Sequence, residues 1–299
     1  MSGETLTDWI GRTRSSTDLL APFPARAMCA LLDRDPAALD TGAALPDGWH
    51  WLYFHEPAPS SALGADGHER RGDFLPPVPL PRRMWAGGRL QFGPPLRLGQ
   101  MAWRRSTIQT VEEKIGRSGP LVFVTVGHEV SVAEGPSVRE EQDLVYRDPV
   151  PGEVPPRAPA GGAAPPADAR SIGSFATDPV ALFRFSALTF NGHRIHYDQP
   201  YATGVEGYPG LVVHGPLLAL LLLDGARRVA RQTSATATVT RFSYRALSPV
   251  FCGERVLLHA REMDGDSHTL ELWAGTDRSS AMAATAEFAL APPQRTWLT

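Results

Sequence analysis

Lysine is almost missing from this chain: of its 29 basic residues only Lys114 is a lysine. Arginine is therefore the default cation, and its abundance alone singles out no anion site. Cysteine is nearly as scarce. Cys29 and Cys252 lie far apart with no second ligand nearby, which excludes a disulfide framework and a cysteine-built zinc cluster. A strong excess of one charge is also missing. A net charge of −3 carries no polyanion-binding signature, so no nucleic-acid partner is expected. Long apolar runs are absent too. The longest is broken by His214, Gly215 and Pro216, and the remainder is too short to span a bilayer. The opening residues lack the apolar core of a signal peptide. The expectation is a cytoplasmic protein with no membrane partner.

What is present is ordinary globular material. With 42% hydrophobic and 20% charged residues among 299, the chain can bury the core of one large domain or two ordinary ones. Residues 4–40 read as helical in two pieces, DWIGRTRSS and then ARAMCALLDRD opened by Pro24. Trp49 to Phe54 reads as a short aromatic strand. Pro57 to Pro81 is a Pro- and Gly-rich loop of a length usually kept for function. From Arg89 to Val132 the pattern has period two, in WRRSTIQTVEE and LVFVTVGHEVSV, and Leu144-Val145-Tyr146 adds a short strand. The Pro/Ala/Gly tract of residues 149–170 cannot form a core and reads as a linker. After it come an apolar helix at 216–231 and four strands at 233–246, 254–263, 267–275 and 280–290. A helix apolar all round must be enclosed, and a sheet wrapped around it fits this order.

An internal repeat points to two such units. Pro95 to Gln100 matches Pro249 to Glu254 as P-x-x-x-G-[QE], each after an Arg-x-x-aromatic strand and before a long alternating one. The helices repeat more loosely, as ALLD at 30–33 and LLLD at 221–224. Residues 1–148 form the expected first unit and 171–299 the second.

Chemistry concentrates in residues 185–216, FSALTFNGHRIHYDQPYATGVEGYPGLVVHGP. The stretch holds His193, His196 and His214, an aromatic loop, and a Gly215-Pro216 helix start. The first turn of a helix leaves N–H groups without intrahelical acceptors, which suits a polarised carbonyl or a developing negative charge. A histidine placed before such a turn is suited to proton transfer. His193 and His196 have no third ligand at suitable spacing, so no metal is expected.

The same residues resemble a known family. An α+β arrangement of two antiparallel sheets, each wrapped around a long central helix, looks like the double hot-dog of MaoC-like dehydratases and hydratases. Those enzymes carry G-D-x-N-P-[IL]-H before the central helix and H-G-M-L at its start. Here the matching residues are Phe190 to His196 and His214 to Leu217. L-T-F-N-x-H-[RK]-I-H-Y, present at Leu188 to Tyr197, is similar to the hydroxyacyl-thioester dehydratase branch. The loop from Gly67 to Gly88, G-H-x-x-R-G-x-F-L-P-P-V-x-L-P-R-R-M-W-A-G-G, is similar to that of mesaconyl-C4-CoA (3-methylfumaryl-CoA) hydratases within it.

The resemblance implies a hydro-lyase interconverting 2-enoyl-CoA and 3-hydroxyacyl-CoA. Its partner would be the acyl-CoA substrate, with no separate cofactor, and a homodimer would be in keeping. His196 is the implied acid/base, and Gly215 supplies the amide that holds the thioester carbonyl. The family's aspartate is replaced by Asn191, which cannot accept a proton but can hold water through its carbonyl oxygen. Asp198 is the candidate to orient His196 or take part of the lost role. His193 contacts substrate or packs, His214 fixes the loop–helix junction, and Tyr197 is pocket wall. A mesaconyl substrate has a free carboxylate. Arg194, standing where the wider family has proline, is the first candidate to bind it, with Arg71 and Arg83 next. Arg241 and Arg245 either bind CoA phosphate or carboxylate, or lie on an exposed strand face. Two other classes remain open: a thioesterase using Glu206 or Asp224, and a non-catalytic acyl-CoA-binding protein.

Overall fold

The computed structural model describes residues 4–116, 119–148 and 164–290. Its first half contains β1 (Thr13–Leu19), α1 (Pro22–Leu31), β2 (Arg82–Phe92), β3 (Met101–Gly116), β4 (Gly119–Val132) and β5 (Gly135–Arg147). The second half contains β6 (Arg170–Ala176), α2 (Pro179–Leu188), α3 (Gln199–Gly204), α4 (Gly215–Thr233), β7 (Thr238–Ala246), β8 (Arg255–Met263), β9 (Asp266–Gly275) and β10 (Ser280–Ala289).

The strands form one antiparallel ten-stranded sheet in the order β1-β3-β4-β5-β2-β7-β10-β9-β8-β6. Read inward from each end, the two halves have the same order, and β2 pairs with β7 at the seam from Gly87↔Arg245 to Gln91↔Arg241. The repeated P-x-x-x-G turns occupy matching places. Gly99 and Gly253 both have positive φ, 87° and 91°. Their N–H groups bond to Leu20 O and Thr177 O at 2.8 and 2.9 Å. By the same matching, α1 corresponds to α2, because each follows the edge strand of its half. The ALLD and LLLD segments are therefore not equivalent.

Several expected elements differ. The first piece of the expected N-terminal helix is instead a single 3-10 turn at Leu6–Trp9 followed by β1. Ser and Thr lose little in an extended chain, and TRSSTDL alternates in exposure as it pairs along β3. Leu144 to Tyr146 is the end of the longer β5 rather than a separate strand. Of the expected linker, residues 149–163 lie outside the described residues, and β6 begins at Arg170.

Among the described residues, the long helix is present in the second half only. Along α4, Leu217 to Ala226 is buried without a break, and the helix packs on β7, β8, β9 and β10. Its six buried leucines, 217, 218 and 220–223, each contribute at most about 1.5–3 kcal/mol. Buried Asp224 ties the helix to the first half, accepting from Arg34 Nη1 at 2.7 Å and from Arg227 Nη2 at 3.0 Å. In the first half, Leu45 N–H bonds Leu96 O just as Val213 N–H bonds Val250 O, both at 2.8 Å. A helix like α4 would begin two residues after Leu45, but the chain there makes only a 3-10 turn, Trp49–Leu52. The expected Trp49–Phe54 strand is that turn. Trp49 of that turn is buried in the main core and Trp51 packs against it.

Candidate active site

A cleft of about 800 Å³ opens against the face of β2–β5 that the missing helix leaves uncovered. Its first-half wall includes Trp85, Ser106, His128 and Gln142, and Phe74 and Leu75 of the Pro-rich loop reach one side. The second half contributes Asn191, His193, His196, Gly215 and Leu218. The chemical stretch and the empty face of the first sheet thus form one site.

The stretch is shaped by how α2 ends. Asp178 caps α2, its Oδ1 accepting Ala181 N–H at 2.7 Å. At the other end Asn191 N–H closes back to Ser186 O at 2.8 Å, with Phe190 left-handed at φ 49°. Glycine usually takes that position, so phenylalanine costs about 1 kcal/mol. Asn191 Oδ1 accepts His193 N–H at 2.9 Å. The amide oxygen expected to hold water is thus engaged in a turn, and Nδ2 is the group left to act toward the cleft.

His196 lies at the end of the 3-10 turn Arg194–His196 and is buried. Its Nδ1 donates to Val212 O at 2.7 Å, which fixes the tautomer and leaves Nε2 for the cleft. Burial pushes the ring down to about 4, against the Val212 bond, which raises it. His214 is fully buried and stacks on His196 with ring centroids 3.7 Å apart. Its Nε2 meets Ser186 Oγ at 2.8 Å. Burial and the neighbouring His196 hold it well below the usual histidine range. It is a neutral backing plate for the His196 ring. Gly215 then opens α4, where no carbonyl of the helix can accept its N–H. A Cβ there would stand 2.9 Å from Trp85 Cε3, so only glycine admits this packing without a shift.

The other expected residues divide clearly. His193 stands on the cleft wall, 5.4 Å from the His196 ring, and burial pushes it down to about 2. Arg83 also lines the cleft and has no carboxylate partner among the described residues. Arg194 does not line it. Its guanidinium bonds Asp198 Oδ2 at 2.9 Å and Ala65 O at 3.0 Å and lies over the Tyr201 ring. Asp198 is consumed by Arg194 and by capping α3 at Tyr201 N–H, so it does not orient His196. Arg71 clips the Pro-rich loop, donating to Val78 O at 2.6 Å and Pro81 O at 2.7 Å. Tyr197 is half exposed, its hydroxyl on Gly192 O, and is not part of the wall. Arg241 and Arg245 face outward, alternating with buried Phe242 and Tyr244, and Arg241 pairs with Glu287.

The carboxylates weighed for a thioesterase are engaged as well. Glu206 pairs with Arg82 at 3.3 Å and accepts from Tyr201, and Asp224 sits among arginines away from the cleft.

Two residues were not singled out by sequence reading. Asp66 Oδ2 lies 3.1 Å from His68 Nδ1, and Oδ1 accepts His68 N–H at 3.0 Å. Burial raises Asp66, but the bonds to His68 outweigh it and hold the carboxyl well below its usual range. The His68 ring stands 4.2 Å from His193. Asp-Gly-His inside a Gly-rich turn was the available signal. Asp66, His68 and His193 offer ligand atoms within 4.8 Å of one another, a grouping that can hold a divalent ion. The positive charge of Arg83, which bears on both histidines, opposes a cation there.

Comparison with known proteins agrees with this geometry. The family model of hydroxyacyl-thioester dehydratase type 2 matches residues 48–252. The chain is 46% identical to mesaconyl-C(4)-CoA hydratase of Chloroflexus aurantiacus, over 96% of this chain and 99% of that one. Among solved structures, a MaoC-like dehydratase has a TM-score of 0.67 at 14% identity, covering 94% of this chain and 98% of that chain. A Mycobacterium tuberculosis protein with a double hotdog fold has a TM-score of 0.59 at 15% identity, over 94% and 96% of the two chains. At such identities the structures establish the fold, and the double hot-dog architecture holds with one long helix instead of two.

Proposed function

The chain belongs to the hydroxyacyl-thioester dehydratase type 2 family, and from that membership we propose that it reversibly hydrates a 2-enoyl-CoA to a 3-hydroxyacyl-CoA. The substrate we infer is mesaconyl-C4-CoA, giving a citramalyl-CoA, because the relative of that name aligns along nearly its whole length. The observation that carries the chemistry is the tautomer of His196, whose Nδ1 is tied to Val212 O, which leaves Nε2 unspent on a ring that lines the cleft together with Gly215.

The thioester carbonyl accepts from Gly215, and the positive end of α4 stabilises the enolate that forms. Water adds its oxygen to C3 and passes a proton to His196 Nε2, while the C2–C3 π pair moves into the enolate. His196 then returns the proton to C2, and the bond to sulfur is never broken. Asn191 Nδ2 orients the water. Every step uses groups of this chain, so the reaction proposed needs no metal, flavin or nicotinamide.

Incubation with mesaconyl-C4-CoA and crotonyl-CoA tests the reading. Loss of enoyl absorbance with the thioester intact supports hydration. Release of free thiol would instead make the protein a thioesterase, and binding without turnover an acyl-CoA-binding protein. The cleft of about 800 Å³ exceeds what a five-carbon acyl group fills, so longer enoyl thioesters belong in the same panel.

A further inference from the structure

Hydration places C3 of the acyl group over His196, and the cleft wall next to His196 is built from both halves of the chain. His193 comes from the second half. Asp66 and His68 come from the loop of the first, and Arg83 from the start of β2. The loop is docked closely: Arg194 N–H bonds Asp66 O at 2.9 Å. Gly67, at φ +88°, lies so close that a Cβ there would fall 2.0 Å from Gly192 O. His68 is therefore held in place by its backbone as well as by its carboxylate partner.

Asp66 is occupied by His68, whose Nδ1 faces it at 3.1 Å. The Nε2 edge is the one left for a ligand, and an imidazolium held between Asp66 and a second carboxylate donates from both nitrogens. The rings of His68 and His193 are 4.2 Å apart. The guanidinium of Arg83 lines the same cleft without a carboxylate partner among the described residues. Two imidazoles and a guanidinium converging on one wall suit an anion, and a guanidinium matches a carboxylate with two parallel bonds.

We propose that His68, positioned by Asp66, forms with Arg83 and His193 a carboxylate subsite that selects thioesters bearing a carboxylate on C3. This rests on the hydratase reading, since it is that reaction which puts C3 beside His196. Among the other arginines that line the cleft, Arg14 and Arg104 pair with Glu56 and Arg82 pairs with Glu206. Arg194 and Arg71, nearby in sequence, are committed to Asp198 and to loop carbonyls.

Succinyl-CoA and butyryl-CoA separate the subsite from the chemistry. Both are saturated and cannot be hydrated, and they differ by a carboxylate in place of a methyl on C3. Calorimetric dissociation constants should show wild type binding succinyl-CoA about 10- to 100-fold more tightly. In His68→Asn and in Arg83→Met, the ratio should fall to within about threefold of unity. Continued binding of butyryl-CoA by the variants shows an intact cleft. A wild type without preference overturns the subsite. So does a preference that survives both substitutions, or an equal loss for both ligands. Mesaconyl-C4-CoA turnover is read separately: a wild type that prefers succinyl-CoA but hydrates nothing keeps the subsite and refutes the hydratase.

Discussion

Replacing Gly215 by alanine isolates the contribution of the helix start. The added Cβ would lie 2.9 Å from Trp85 Cε3 and 3.4 Å from Cζ3. An unstrained carbon pair sits at about 3.5–4.0 Å, so the closer contact is short by about 0.6–1.1 Å. Trp85 has little room to retreat. Tyr244 stacks on it with centroids 4.5 Å apart, and Trp51 meets it edge-on at 5.6 Å. The start of α4 must then move, carrying the amide that faces the thioester carbonyl. Overpacking costs about 1–3 kcal/mol, and alanine in place of glycine in a helix returns about 1 kcal/mol. The net loss of stability is about 0–2 kcal/mol, a few degrees in Tm. Misplacing an oxyanion donor by this much should lower kcat about 10²- to 10³-fold. Activity therefore falls much further than stability, measured by enoyl absorbance and thermal unfolding. Trp85→Leu removes the obstructing ring, so the double variant should regain at least about tenfold over Gly215→Ala. A Gly215→Ala enzyme keeping more than about half its kcat, or a double variant no better than the single, refutes the reasoning.

Four further outcomes are expected. His196→Ala should lower kcat by about two to four decades with less effect on KM, and a variant retaining a tenth of wild-type kcat would show that another group moves the proton. Asn191→Asp should stay folded and active, because one carboxylate oxygen can accept the His193 N–H that Oδ1 now takes and the other can hold the water as an acceptor; a folded but inactive variant would mean that the water needs the Nδ2 donor itself. The acid limb of kcat/KM should fall near pH 4 rather than 6.5, since neutral His196 is the base and burial pushes it down to about 4. The unfolded chain binds the extra protons below about pH 6.5, so stability should drop on acidification from 6.5 through 4, by up to about 1.4 kcal/mol per pH unit for each of His196 and His128. An acid limb at the ordinary histidine value, or a flat unfolding midpoint across that range, would show these rings to be exposed.

The legible part of the sequence was the part governed by local rules. The P-x-x-x-G turns gave the repeat because a turn needs its glycine wherever it occurs, and Gly215-Pro216 marked a helix start for the same reason. The stretch around His196 was legible because its histidines, the helix start and the loop between them are close in sequence. What was missed depends on distant neighbours. TRSSTDL is a strand because β3 lies beside it, and WHWLYF is a turn because a sheet face needs filling. Arg194 looked available beside two histidines, yet Asp198, four residues on, and Ala65, from the other half, take its guanidinium. Asp66 and His68 bond each other locally, but what brings the pair to the cleft is contact with His193 and Arg194, which only the folded chain makes.

The one-turn helix at Trp49–Leu52 also fixes how many reactions a chain can host. Two equal halves would each present a long helix and, with it, a helix-start amide. Here the first half ends its turn before such an amide can face a cleft, and that space becomes part of the other half's site. Titration with a tight thioester ligand should therefore saturate at one equivalent per chain, with each half of the protein holding half of a single site.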